Sequence, residues 1–311
     1  MKLSNSIKLV MTNFNLFWKL LIYMFLCIGV AFVFLLPVMQ QINNALDASG
    51  FFAEVSKFFN GVAFQGLYMF MEVVSKMILV FLSTLSILAG YGIGVLFYVL
   101  FIIFIVLPFL FHLSNISISE CVYGYMTSLN KSSFVVSMLD KLGLSAGYSI
   151  IKTLLELPFY ALFMWVIYSV ANITAVGTVM QVILPLIWIV LFILLLDIKT
   201  TLLSGWPQAI VVFNVCAGNG IKRGFKSVKR NYLATLSSFA VVITIALAII
   251  ILFGAYALIP VVPLFSLITS VFGQVLFFES QGMDYYTSQT SIVNPRKLEQ
   301  SDSIKKVKYK I

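Results

Sequence analysis

Few residues in this chain could do chemistry, and their spacing limits what that chemistry could be. There is one histidine, His112, and there are three cysteines, Cys27, Cys121 and Cys216, no two of them within ninety residues of each other. An odd number of widely separated thiols is neither a disulfide framework nor a zinc-ligand pattern. A bridge between Cys121 and Cys216 is not expected, because cytosolic thiols stay reduced. The eleven carboxylates are scattered, so neither a metal nor a cofactor is expected. One carboxylate is out of place: Glu156 lies in the apolar run Leu154-Leu155-Glu156-Leu157-Pro158. An ionisable group in a membrane segment is a candidate polar site, for a proton or a substrate. Lys152 sits four residues earlier on the same helical face, so an interfacial Lys152–Glu156 pair is the simpler reading. On that reading Glu156→Gln leaves membrane insertion and phenotype close to wild type. His112 reads as an imidazole snorkelling at the end of an apolar run, and Glu279 and Asp284 as interfacial caps of the last one. Membrane enzymes display clustered His, Asp or Glu, or a nucleophile with a base, and no such cluster is visible, so no catalytic residue is assigned.

The second chemical feature is a run of cations, Lys222, Arg223, Lys226, Lys229 and Arg230, within Gly220–Tyr232. Ile221, Phe225, Val228 and Tyr232 recur at helical spacing and the cations fill the other faces. Such a helix lies in the membrane interface, apolar side down, with its cations on anionic head groups. These five residues are the candidate lipid-binding set. Nucleic acid is not expected as a partner, since topology and lipid already account for the charge.

The elements that must position these residues are membrane helices. Of 311 residues 61% are hydrophobic and only 10% charged, where a soluble domain has about a quarter charged residues. Twenty-nine Phe, 14 Tyr and 4 Trp exclude a disordered chain. A span needs about 20 apolar residues. Runs meeting that criterion give six transmembrane helices, at about 20–39, 93–111, 154–173, 177–196, 233–258 and 261–278. The first reads as an uncleaved signal anchor, since it is too long for a signal-peptide core and no small-x-small cleavage site follows.

The run Met77–Leu113 is 37 residues long, about 55 Å as a helix. Splitting it at Gly90-Tyr91-Gly92 would leave a 13-residue span with no polar residue to hold the turn at a surface. One long element is therefore expected, with Met77–Gly92 either interfacial or part of a tilted span. Gly90-x-x-x-Gly94 reads as a close-packing motif, within the chain or with a second copy of it. Pro37, Pro108, Pro158, Pro185, Pro260 and Pro263 fall in or beside spans and would kink them around a cavity.

Six spans with the N-terminus inside place 18 Lys and Arg on the cytoplasmic side and only Lys57 and Lys76 outside. The fold class is thus all-α: a polytopic membrane protein, three hairpins with interfacial amphipathic helices, forming one membrane domain over 1–311. Residues 284–311 read as a flexible, basic cytoplasmic tail. The Lys-, Ile- and Phe-rich composition suggests a bacterial plasma membrane protein with both termini cytoplasmic. A faint internal repeat relates Ile7–Phe14 to Phe225–Tyr232, where Lys, Val and Asn match and an aromatic follows each Asn.

Trp206–Phe213, the basic helix ending Lys229-Arg230-Asn231-Tyr232, and two spans closing with Met283-Asp284-Tyr285-Tyr286 form a pattern. It resembles the membrane domain attached to some bacterial glycerophosphodiester phosphodiesterases, and the stand-alone six-span relatives of that domain. The likeness is clearest over Trp206–Tyr286 and only topological before it. Twenty-five residues follow Tyr286, and one histidine without a carboxylate cluster could not supply the hydrolysis. The resemblance implies an architecture, not an activity. The expected function is that of an accessory or membrane-homeostasis protein contacting lipid or a membrane-protein partner. The alternative is a permease or export component for a lipid, peptide or small solute; without a Walker motif it would need a separate ATPase.

Overall fold

The computed structural model describes residues 2–61, 67–173, 180–230, 232–253 and 257–295. Nearly all of them are helical. The order is α1 (Lys2–Thr12), α2 (Asn15–Leu35), a short 3₁₀ turn at Leu36–Val38, α3 (Met39–Ser49), α4 (Phe51–Gly61) and α5 (Leu67–Gly90). Then come α6 (Ile93–Phe101), a π-helical turn (Ile102–Val106), α7 (Leu107–Ser128), α8 (Phe134–Asp140) and α9 (Leu142–Ile173). The chain continues through α10 (Met180–Ser204), α11 (Trp206–Phe213), α12 (Ala217–Arg230), α13 (Tyr232–Phe253) and α14 (Leu258–Gln281). Strands β1 (Tyr285–Ser288) and β2 (Ser291–Val293) follow. Among the described residues six helical stretches are long and apolar enough to cross a membrane: Asn15–Ser49, Ile93–Ser128, Leu142–Val166, Val190–Phe213, Tyr232–Ile250 and Leu258–Gln281. The protein is an all-α polytopic chain in this sense, with one small hairpin added.

The long run at Met77–Leu113 is not one element. The helix stops at Gly90, and Gly92 takes φ 132°, a conformation that only glycine adopts without strain. The backbone N–H groups of Tyr91 and Gly92 donate to the carbonyls of Leu88 and Ala89, so no polar side chain is needed to hold the turn. Ala45 of α3, Leu88 of α5 and Val99 of α6 bury together beneath it. The extra residues of the run therefore belong to a helix that returns along α3, where Thr84 donates to Ser49 across 2.8 Å. A Cβ on Gly90 or Gly94 would meet open space, so this pair does not pack closely within the chain.

Close packing occurs at glycines elsewhere. A Cβ on Gly224 would lie 2.5 Å from the Gly205 carbonyl oxygen and 2.8 Å from the Trp206 Cα. Gly220 presses on Ile210 in the same way. The sequence Gly220-x-x-x-Gly224 lets α12 cross the α10–α11 corner backbone to backbone, which is the use that small-residue motifs have in membranes.

Proline also acts where expected. Pro108 has no N–H to give the carbonyl one turn earlier, and the preceding turn at Ile102–Val106 is π-helical. Tyr98 Oη donates to the Phe34 carbonyl at 2.6 Å beside the Pro37 break, and Tyr23 Oη donates to the Leu110 carbonyl at 2.6 Å, tying α2 to α6 and α7.

The segment after α14 departs from a flexible tail. Gly282 ends the helix in the left-handed conformation, and residues 285–293 form an antiparallel hairpin with Tyr285 opposite Val293. Tyr285 is fully buried; Asn5 Nδ2 donates to its oxygen at 3.1 Å, and its hydroxyl donates to Glu279 Oε1 at 3.1 Å. This stitches α1, α14 and β1 into one core with Leu9, Leu20, Ile118 and Met126. Burial pushes the Tyr285 phenol above its ordinary range. Asp284 accepts from Asn294 at 3.1 Å. Arg296, Lys297 and the later basic residues lie outside the described residues.

Candidate functional site

Four polar residues of α9 are spaced four apart: Tyr148, Lys152, Glu156 and Tyr160. At 3.6 residues per turn such a series drifts slowly round the helix, so all four share one broad face. That face meets His112 and Asn115 of α7 and Lys199 of α10 in a cavity of about 460 Å3. Ser266, Thr269 and Ser270 of α14 line its far wall, and Gln208 of α11 lies at one end. The volume is within the range of small-molecule sites.

Glu156 is the centre of the cluster and is only 2% exposed. Three donors converge on its Oε2: the Tyr160 hydroxyl at 2.6 Å, His112 Nε2 at 2.9 Å and Lys199 Nζ at 3.3 Å. Asn115 Nδ2 stands 3.3 Å from His112 Nδ1. With an amide nitrogen facing Nδ1 and a carboxylate facing Nε2, the arrangement suits the neutral imidazole that carries its proton on Nε2. Lys199 Nζ also lies 4.6 Å from the centre of the Tyr160 ring. Tyr160 thus supplies a hydrogen bond to the carboxylate and a π face to the ammonium that neutralises it.

This geometry corrects three expectations. The span expected at 154–173 is part of a longer helix. Since α9 begins at Leu142, Glu156 is 14 residues in, about 21 Å along the axis. Its direct ionic partner is Lys199, not Lys152, whose Nζ instead sits 5.7 Å from the Tyr148 ring centre. His112 does not snorkel: its side chain is 13% exposed and is held from both ring nitrogens. The expected neutrality of Glu156→Gln loses its basis, because the carboxylate is buried and shared by three groups.

The charges do not cancel. In formal charges one carboxylate, Glu156, stands against two lysines, Lys152 and Lys199, a sum of +1 with His112 neutral. Among the described residues no carboxylate lies within 4.0 Å of Lys152 Nζ, while Glu156 has Lys199. Lys152 faces the same carboxylate without a direct ion pair of its own. Gln208 is 1% exposed and donates through Nε2 to the Ser270 carbonyl at 3.2 Å, while its Oε1 has no hydrogen-bond partner among the described residues. Among those residues no group of three or more His, Cys, Asp or Glu could hold a metal.

The five basic residues of α12 are not part of this cavity. Lys222, Arg223, Lys226 and Lys229 are exposed on α12, and Arg230 is its last residue. Arg223 stacks over Phe213 at 4.6 Å. The side of α12 that packs is Gly220, Gly224, Ser227 and Val228, while Phe225, expected on the apolar face, is 48% exposed. Ser227 and Ser280 hydroxyls pair at 2.6 Å, fixing α12 on α14. All three cysteines are free.

Fold and cluster together define a polytopic helical protein with a polar cavity, lined by Glu156, Lys152 and Lys199, between its apolar helices. The chain matches no protein-family model, no curated protein and no solved structure. The cavity must be read from its own residues.

Proposed function

We propose that this is a multi-pass membrane protein, built as three hairpins with interfacial amphipathic helices, that binds an anionic group in the cavity between α7, α9, α10 and α14 without turning it over. Its role is that of an accessory or membrane-homeostasis protein, with both termini on the cytoplasmic side of a bacterial plasma membrane. The single observation behind the reading is Lys152: a lysine inside a membrane helix, facing a cavity, that shares its one neighbouring carboxylate with Lys199. Ionisable residues are kept within spans where they serve a ligand or an ion path. The exposed cations of α12 support contact with anionic head groups at the membrane surface, about 1 kcal/mol each.

The test is binding of glycerol 3-phosphate to the purified protein in neutral detergent, read by thermal shift. Stabilisation that is lost in Lys152→Met and kept in Lys152→Arg is expected; no stabilisation in wild type removes the reading. A second reading, a permease component, is favoured by one feature, the intramembrane carboxylate Glu156. Anion-driven proton movement into vesicles containing the protein, absent in Glu156→Gln, would move the assignment there.

A further inference from the structure

We infer that the occupant of the cavity is a two-chain anionic lipid, its phosphate at Lys152 and Lys199 and its acyl chains in two apolar grooves that open from the cavity. The inference deepens the anion-binding reading and rests on it.

The first groove, about 700 Å3, runs between α6 and α9 and is walled by Gly94, Phe97, Phe101, Leu157, Ala161 and Met164. It shares Phe104 and Tyr160 with the charged cavity. Its two tyrosine hydroxyls are occupied within the protein, Tyr98 on Phe34 and Tyr160 on Glu156, so the groove offers only apolar surface. The second groove, about 280 Å3, lies between α2, α7 and α14 and is walled by Leu21, Phe25, Ile28, Leu258, Ile259 and Pro263. It shares Met24, Leu107, Phe111 and Val262 with the cavity. Phe97, Phe101, Phe25 and Ile259 are each more than half exposed, so both grooves are open sideways to the surrounding bilayer.

Direction ties the grooves to one molecule. Successive spans of a membrane chain alternate, so the start of α6–α7, the end of α9 and the start of α14 point to the same membrane face. The first groove uses residues 94–105 and 157–164, before His112 on one span and after Glu156 on the other. The second uses 258–263 of α14, before the cavity residues Ser266 and Ser270. Both grooves therefore leave the charged end toward the same face, as the two chains of a lipid leave its phosphate. A small soluble anion would need the cations but neither groove. Apolar channels with a cationic head site match a phospholipid of net negative charge, and a zwitterionic head would set its own cation against Lys152.

The test uses the full chain in neutral detergent and native mass spectrometry with dioleoyl phosphatidylglycerol, dioleoyl phosphatidylcholine, dihexanoyl phosphatidylglycerol and, as competitor, glycerol 3-phosphate. Dioleoyl phosphatidylglycerol should bind about tenfold tighter than the phosphatidylcholine; Lys152→Met should erase that preference and Lys152→Arg should keep it. Gly94→Phe with Ala161→Phe fills the first groove, and Gly94 has no atom within 4 Å of a new Cβ. This pair should weaken the dioleoyl lipid about fivefold and leave the dihexanoyl lipid unchanged. Gly29→Phe, in equally open surroundings on α2 and outside the first groove, should change neither. If glycerol 3-phosphate competes through Lys152 while dioleoyl and dihexanoyl lipids bind equally, the lipid inference is overturned and the anion reading stands. If no anion's affinity depends on Lys152, both are overturned.

Discussion

Replacing Glu156 by Gln tests whether the cluster is the ionic centre of the membrane domain. Glutamine can still accept from Tyr160 and His112, so the hydrogen-bonded shape survives. What disappears is the charge facing Lys199, 3.3 Å away, and the net charge of the cluster rises from +1 to +2. Removing one partner of a buried ion pair costs about 3–5 kcal/mol. Lys199 and His112 retain 16% and 13% side-chain exposure toward the cavity, so water recovers part of this loss. The expected cost is about 2–3 kcal/mol, below that range. Lys199→Met in the Glu156→Gln background returns the cluster to +1, with Lys152 as the sole ammonium. The double variant should regain about 1 kcal/mol over Glu156→Gln alone, a coupling of ordinary size for residues in contact. Reversible unfolding in mixed micelles, titrated with dodecyl sulfate, measures all three variants. A Glu156→Gln protein within about 0.5 kcal/mol of wild type, the scatter of a neutral surface substitution, would refute the ion-pair account. So would a double variant as unstable as the sum of the two singles.

Other substitutions separate the remaining contacts. Gly224→Ala places a methyl 2.5 Å from the Gly205 carbonyl oxygen, and because backbone cannot swing aside it should cost about 1–3 kcal/mol in the same unfolding assay, whereas Gly94→Ala, in open space, should be nearly neutral. Tyr285→Phe removes hydrogen bonds to Asn5 and Glu279 and should cost about 1–2 kcal/mol. Burial raises the folded phenol above its unfolded value of about 10, so its contribution is complete below pH 10 and fades above it; the gap between wild type and Tyr285→Phe should narrow from pH 9 to pH 11. Replacing Lys222, Lys226 and Lys229 together by Gln should lower the preference of the reconstituted protein for anionic over neutral lipid by about 3 kcal/mol at low salt, read by lipid enrichment around the chain.

Six helices long and apolar enough to cross a membrane were legible in the sequence because length and apolarity alone define them; their bounds differ, most for the fourth, expected at 177–196 and found at Val190–Phe213. The ends were less legible. Leu142–Thr153 carries Ser145, Ser149 and Lys152, which hydropathy scores as loop, yet the two serines are buried, Lys152 is half-buried, and the segment extends α9 by more than three turns. The turn at Gly90–Gly92 was missed for a related reason. A turn was expected to need polar side chains, but its backbone bonds itself and its apolar flanks bury on α3. The hairpin at Tyr285–Val293 is held by one buried phenol, a contact 280 residues apart in sequence with Asn5, and no local pattern announces it.

The site was half visible. Tyr148, Lys152, Glu156 and Tyr160 stand at intervals of four, and that stripe is readable without any structure. Noticing only its central pair made Glu156 appear satisfied by Lys152. The partners that change this reading come from other helices, and no spacing rule links Glu156 with His112 or Lys199, each more than forty residues away. The consequence is physical. A helical i, i+4 Lys–Glu pair closes on itself, contributes a few tenths of a kcal/mol and asks for nothing further. Once Lys199 shares the carboxylate, one negative charge stands against two lysines within spans, and a lysine at a helix centre costs about 2.5–3.5 kcal/mol unless something answers it. The cavity beside it, and the apolar grooves leading away on one side, are where an answering anion with two hydrocarbon chains would fit.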